Sequence, residues 1–395
     1  MLPSADPRPL APLTRLAELK ELLRLHIRTQ HVQAERFQRV LETITQADGD
    51  GPGSWPGEWI QLGSQLLAEG RTLDAVQAFN FGRFPFIDGP ARQRSLERCL
   101  RSFQAWMRDS ALPIERRLIQ CQGELVPIYT NGHWQAGGNV LIVMGGIVSV
   151  KEQWYSSLRD APKSGFSVAV ADFPGVGENP LVLDRHSDGY LGDVIDALAR
   201  IAPDQRFYLV AISFAGYLAL RQAAVDPRIR GVVLSGTPTS AFFRDARWWA
   251  SVPETTKRIL SHLTRVPQAS LFECLQTFAL DESELARVRV PVRLLTALRD
   301  EIIPRADSEL LSNGLASISV RRFDDVHGAP SYLGAIRLDI VASLLRFSGR
   351  RRVLSWILMF VSILNAWFVR VARSWRAQTA VVSRALVVPI RGGRS

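Results

Sequence analysis

Apolar residues recur at three- and four-residue intervals through the first part of the chain, and after about residue 113 they gather into short unbroken runs. Leu16, Leu19, Leu23 and Ile27, followed by Phe37, Leu41 and Ile44, share one face at helical spacing, which predicts a single long amphipathic helix over residues 13–45. The stretch Asp48-Gly49-Asp50-Gly51-Pro52-Gly53 ends it. Two shorter helices follow, around Trp59, Leu62 and Leu66 and around Leu73, Val76 and Phe79, with Gly70 between them as a C-terminal cap. A further helix carries Leu96, Cys99, Leu100, Phe103 and Met107. Residues 1–112 are therefore expected to be all-helical.

From residue 113 the period changes. Gln122-Gly123 marks a hairpin between strands near 116–121 and 124–129, and buried-strand runs follow at Val140–Val143, Ser167–Val170, Tyr208–Val210, Val232–Leu234 and Val292–Leu295. Helical segments lie between most of them. This alternation predicts an α/β core over residues 113–346, a mainly parallel sheet with helices on both faces. Residues 238–287 interrupt the series with helical sequence and are expected to form a cap over the strand ends.

Charge changes this picture only at the C-terminus. Residues 347–395 contain nine arginines (350, 351, 352, 370, 373, 376, 384, 391 and 394) and no Asp or Glu. Taking these from the formal net charge of +10 leaves about +1 for residues 1–346, without the basic surplus of a nucleic-acid binder. Cys99, Cys121 and Cys274 are odd in number and far apart, which fits neither a disulfide framework nor a zinc site. No basic start followed by an apolar run stands at the N-terminus, so the expectation is a cytoplasmic protein without a secretory signal.

Candidate chemistry begins at Ser213, in Ala211-Ile212-Ser213-Phe214-Ala215-Gly216, between the run Phe207–Val210 and the helical Tyr217–Arg221. A serine on so sharp a strand-to-helix turn exposes its hydroxyl, and the turn needs small residues two positions either side. That hydroxyl is a poor nucleophile until a base removes its proton, and the base needs a carboxylate to fix its tautomer. Asp300 follows the strand 292–297 and His327 follows a predicted strand 317–323, so the order Ser, Asp, His places all three at strand ends. Glu301 is the rival acid; Asp324 and Asp325 are so near His327 that they are expected to shape its loop. Backbone N–H groups of Phe214 and of Gly146, in Met144-Gly145-Gly146-Ile147, are candidate oxyanion donors. Gly175-Val176-Gly177 lacks the third glycine of a dinucleotide site, and Lys151 lacks the spacing of a phosphate-binding loop, so neither a cofactor nor a metal is expected. Phe242, Phe243, Trp248 and Trp249 in the cap point either to an apolar ligand or to packing.

Gly145-Gly146-Ile147-Val148-Ser149-Val150-Lys151-Glu152, Asp172-Phe173-Pro174-Gly175-Val176-Gly177, Ser213-Phe214-Ala215-Gly216-Tyr217 and Asp300-Glu301-Ile302-Ile303-Pro304 together resemble a branch of the α/β-hydrolase family. That branch includes the fermentation/respiration switch protein, 2,6-dihydroxypseudooxynicotine hydrolase and fungal polyketide-shortening hydrolases. The resemblance spans roughly residues 55–346 and departs at Ala211 and Ala215, which are glycine in most relatives. It implies an α/β-hydrolase fold, a helical lid before the core, Ser213 as nucleophile, His327 as base and then acid, and Asp300 as its orienter. It further implies cleavage of an ester, thioester or C–C bond next to a carbonyl in a small-molecule acyl substrate, with polyketide or other secondary metabolism as the setting. Acyl transfer or cyclisation on the same triad, and a non-catalytic binding protein, stay open.

Residues 353–369 are almost wholly apolar, yet 17 positions fall short of the roughly 20 of a membrane span. On a helix, Arg351, Ser355, Ser362, Asn365, Arg370, Arg373, Arg376 and Arg384 fall on one side, which predicts an interfacial helix on an anionic membrane surface. The protein would then be peripheral at the inner membrane surface. Docking on the N-terminal helices, a short span and an uninformative extension are the alternatives, and a homodimer is a separate expectation.

Overall fold

The computed structural model describes residues 15–30 and 34–385, with side chains as far as residue 373. Two helices, α1 (Arg15–Thr29) and α2 (Ala34–Thr43), carry the stripe that was expected to lie on one. No large apolar side chain falls on that stripe between Ile27 and Phe37, so the sequence offers a continuous helix no apolar anchor there. The Thr29 hydroxyl donates to the His26 carbonyl at the end of α1. His31, assigned to the same helix from sequence, lies outside the described residues. Leu19, Leu23, Ile27, Phe37 and Leu41 are all buried.

Ser54 starts α3 (Trp55–Ala68) by accepting the Gly57 N–H on its hydroxyl. Gly70, in the left-handed region, separates this helix from α4 (Thr72–Arg83), and α5 (Pro90–Asp109) completes the region. Aromatic rings lock these helices together: Trp59 meets Phe81 at 5.4 Å and Phe37 at 5.7 Å between ring centroids. Each such pair contributes about 0.5–1.5 kcal/mol beyond its burial.

Eight strands form one sheet: β1 (Glu115–Cys121), β2 (Glu124–Asn131), β3 (Asn139–Met144), β4 (Ser167–Ala171), β5 (Arg206–Ile212), β6 (Ile229–Ser235), β7 (Val292–Ala297) and β8 (Ile318–Phe323). Their spatial order is β1-β2-β4-β3-β5-β6-β7-β8. The hairpin pairs Cys121 with Glu124 across Gln122-Gly123, β2 runs antiparallel to β4, and the remaining neighbours are parallel. Burial of β3 and β4 along their whole length explains their unbroken apolar runs.

Between the strands lie α6 (Tyr155–Asp160), α7 (Asp188–Ala199) and α8 (Ala215–Ala223). Five short helices separate β6 from β7: α9 (Ala241–Arg244), α10 (Ala246–Ser251), α11 (Glu254–Thr264), α12 (Gln268–Gln276) and α13 (Glu282–Ala286). Glu18 of α1 ties α11 to the N-terminal helices, accepting the Thr255 N–H at 2.8 Å and its hydroxyl at 2.6 Å. The core ends with α14 (Arg305–Gly314) and α15 (Leu333–Phe347). Asp339 of α15 is buried and held by Arg293 of β7 and Arg321 of β8, at 2.7 and 2.8 Å.

A last helix, α16 (Arg352–Ala385), runs along α15. Part of the polar stripe recognised in its sequence turns toward the body, while Arg351 and Arg370 stay exposed. Ser355 and Ser362 donate to the Ala342 and Ala335 carbonyls, and Arg373 donates to the Asp324 carbonyl. The side chains of Arg376 and Arg384 lie outside the described residues.

Candidate active site

Ser213 stands between β5 and α8 with φ of +55°, a left-handed backbone that a side chain enters only under constraint. Its N–H donates to the Ser235 carbonyl at the end of β6, which pins the turn. Ala211 and Ala215, the small residues two positions either side, are both buried and permit the turn. Gly216 permits the close approach of α8, because a Cβ there would sit 2.0 Å from the Thr237 hydroxyl.

The three side chains singled out at strand ends lie in one hydrogen-bonded row. Nε2 of His327 is 3.1 Å from Ser213 Oγ, and Nδ1 is 2.9 Å from both carboxylate oxygens of Asp300. Asp300 is itself fixed, since its Oδ1 accepts the N–H groups of Ile302 and Ile303 at 3.0 and 2.8 Å. Burial by itself would push the His327 imidazole down, but the Asp300 charge and hydrogen bond, with Glu301 behind them, outweigh it and leave its pKa raised. The rival Glu301 takes the His327 backbone N–H at 2.9 Å rather than the ring. Asp325 accepts the Ser331 N–H and so shapes the loop that carries the histidine. A Cβ at Gly236 would come within 2.8 Å of His327 Cε1, so only glycine leaves the ring in place.

Gly146 lies against the serine: a Cβ there would be 2.9 Å from Ser213 Cβ. Phe214 is the residue before the first turn of α8, where backbone N–H groups have no partner within the helix. The segment around Gly146 is held from two sides that sequence reasoning missed. Lys151, buried, donates through Nζ to Asp172 at 2.9 Å and Glu178 at 2.7 Å, and its N–H reaches Asp172 at 2.6 Å. Burial alone would lower its pKa, yet the surrounding carboxylates of Asp172, Glu152 and Glu178 drive it well up. From the helical region, buried Arg83 donates to the carbonyls of Val148 and Pro85. Nothing local to Lys151-Glu152-Gln153 in the sequence says that the distant Asp172 and Glu178 answer the lysine.

A cavity of about 460 Å³ borders Ser213, His327, Gly146 and Phe214. It extends along the sheet past Leu141, Val143 and Val210 to Ile336, Ile340 and Leu344 of α15. Leu22, Leu25 and His26 of α1 form part of its wall. Burial pushes the His26 imidazole down to about 4, helped by Arg83 and His327, so this side chain is neutral at pH 7. The cap aromatics do not line the cavity. Phe242 and Phe243 are fully buried against Phe214, and Trp248 donates its indole N–H to the Ile302 carbonyl, so they pack the cap onto the core.

Residues 139–312 match the family model described as alpha/beta hydrolase fold, a segment that carries both Ser213 and Asp300. A solved structure described as AbyA5 wildtype is 38% identical, superposes with a TM-score of 0.83, and covers 88% of this chain and 99% of its own. The 2,6-dihydropseudooxynicotine hydrolase of Paenarthrobacter nicotinovorans is 23% identical over 249 residues, 62% of this chain and 66% of the relative, just under two thirds of its length. A crystal structure of 2,6-dihydroxy-pseudo-oxynicotine hydrolase shares the fold at 18% identity and a TM-score of 0.68, covering 83% of this chain and 96% of its own. With 38% identity along nearly the whole of one relative and the α/β-hydrolase-fold model lying across the strands that carry the site, this chain belongs to the α/β-hydrolase family.

Proposed function

We propose that this protein is a serine hydrolase that cleaves an acyl bond of a largely apolar substrate through an acyl-enzyme. The observation that carries the reading is the row Asp300, His327, Ser213 ending at an apolar cavity. His327 Nε2 takes the Ser213 proton as Oγ attacks the carbonyl carbon, while Asp300 holds the Nδ1–H and stabilises the imidazolium. The N–H of Phe214 and the backbone at Gly146 receive the oxyanion. The imidazolium then gives its proton to the leaving group, and a water activated by the same imidazole releases the acid. A hydrolase among the relatives accords with water as the final acceptor. An ester, a thioester or a C–C bond next to a carbonyl each satisfies this chemistry.

Ser213→Ala is expected to lower kcat by about 10⁴ to 10⁶ while the protein remains folded. A fluorophosphonate probe should label the wild type and neither Ser213→Ala nor His327→Ala. A loss below about tenfold, or labelling that persists without Ser213, would defeat the reading.

The apolar wall of the cavity favours a second outcome on the same triad, in which an alcohol or amine of the substrate replaces water and the product is a cyclised or transferred acyl group. Turnover in heavy-oxygen water separates the two, since only hydrolysis puts solvent oxygen into the product acid.

A further inference from the structure

α16 keeps most of its large apolar side chains away from the body. A helix laid on a soluble body turns its apolar stripe inward. Here the inner side carries Ser355, Ser362 and Arg373, each bonded to backbone of the body, beside the smaller apolar group Leu354, Leu358, Ala366 and Val369, and Arg321 donates to the Ser362 carbonyl at 3.0 Å. The outer side presents Val353, Trp356, Phe360, Ile363, Trp367 and Phe368, all more than half exposed. Within Arg352–Arg373 the most apolar 18-residue window has a mean hydropathy of 1.7, and only 11% of that window is buried. A continuous apolar face of this length is a docking surface rather than a scatter of exposed residues.

We propose that α16 docks the protein on an anionic phospholipid bilayer, lying in the plane of the surface with its outer face in the acyl boundary. Charge selects the occupant. Residues 347–395 carry nine arginines and no acidic side chain, so an anionic headgroup layer supplies the missing counter-charge. A second copy of the helix would not. An antiparallel pair centred near residue 362 sets Arg351 and Arg352 of one copy beside Arg373 of the other, and a parallel pair sets each arginine cluster beside itself. The inner contacts exclude a span: Arg321 and Arg293 touch Ser362 and Met359, and inserting the helix would draw these arginines and buried Asp339 into hydrocarbon. Trp356 and Trp367 suit the headgroup level of an in-plane helix.

The test is co-sedimentation of the full-length protein with phosphatidylcholine vesicles that contain about one third phosphatidylglycerol, against vesicles of phosphatidylcholine alone. The wild type should pellet with the anionic vesicles, lose that binding in high salt, and be released from them by alkaline carbonate. Phe360→Glu with Trp367→Glu, both solvent-facing, should keep the wild-type melting temperature and bind about tenfold more weakly or less. Arg351→Gln with Arg352→Gln should weaken binding and flatten its salt dependence. Equal binding to neutral vesicles, absence of binding, or retention after carbonate would overturn the proposal. So would a concentration-dependent dimer that the glutamate pair dissolves.

Discussion

α1 and α16 are both amphipathic helices laid against the body near opposite ends of the described chain, and they turn opposite faces to it. Leu19, Leu23 and Ile27 of α1 are at most 1% exposed, whereas Trp356 and Phe360 of α16 are 69% and 61% exposed. α1 is held mainly by its buried apolar stripe, whereas α16 is held by hydrogen bonds from its polar stripe together with the packing of Leu354, Leu358, Ala366 and Val369. A helical period in a sequence therefore defines two faces without saying which one meets the protein; the partner surface decides. Beneath α1 lie the cavity and α11, and beneath α16 lie helix carbonyls and the paired arginines of β7 and β8.

Substitutions on the two helices and their supports should separate these modes of attachment. The largest effect is expected at Asp339→Ala, which leaves the largely covered Arg293 and Arg321 without their buried carboxylate and should cost about 3–5 kcal/mol in chemical denaturation. Leu23→Ala on the buried stripe of α1 should cost about 2–5 kcal/mol by the same measurement. Phe360→Ala, the matching truncation on the outer face of α16, should stay within about 0.5 kcal/mol of wild type. A large loss at Phe360 would mean that its side chain is covered within the protein, and the contrast between the helices would fail.

Two histidines that share the cavity sharpen the comparison by titrating in opposite senses. His26 has its pKa depressed, so its contribution is present above its ordinary value of 6.5 and is lost as pH falls toward about 4. His327 has its pKa raised, so its pair with Asp300 stabilises fully below 6.5 and fades as pH rises through the higher value. Stability measured by denaturant should consequently fall on the acid side, and His26→Phe should flatten that limb while leaving the alkaline limb unchanged. The activity proposed for His327 runs the other way. It needs the neutral ring, so kcat/KM should rise with pH through a value above 6.5.

Much of the architecture was open to reading from the chain because it rests on local rules. Gln122-Gly123 can hardly be anything but a hairpin turn, buried parallel strands must be apolar runs, and Ser213, Asp300 and His327 follow strands at the one edge of the sheet where loops converge. What could not be read depends on contacts between distant segments. That α1 ends at Thr29 depends on what the core offers its stripe, which the helical period alone does not say. His26 becomes part of a cavity wall, Arg83 reaches Val148, and Lys151 finds Asp172 only after the sheet has formed. The cap aromatics looked equally suited to ligand and to packing, and the packing of Phe242 and Phe243 on Phe214 decided between them.

The reach of Arg83 from the end of α4 to the Val148 carbonyl joins the helical region to the loop beside Ser213. Grafting the N-terminal helices of a relative onto this sheet would accordingly exchange more than the roof of the cavity. A graft without a guanidinium at that place would leave the Val148 carbonyl unanswered and the neighbouring Gly146 loosely held. Chimeras that transplant this one arginine together with its helices should therefore outperform those that transplant the helices alone.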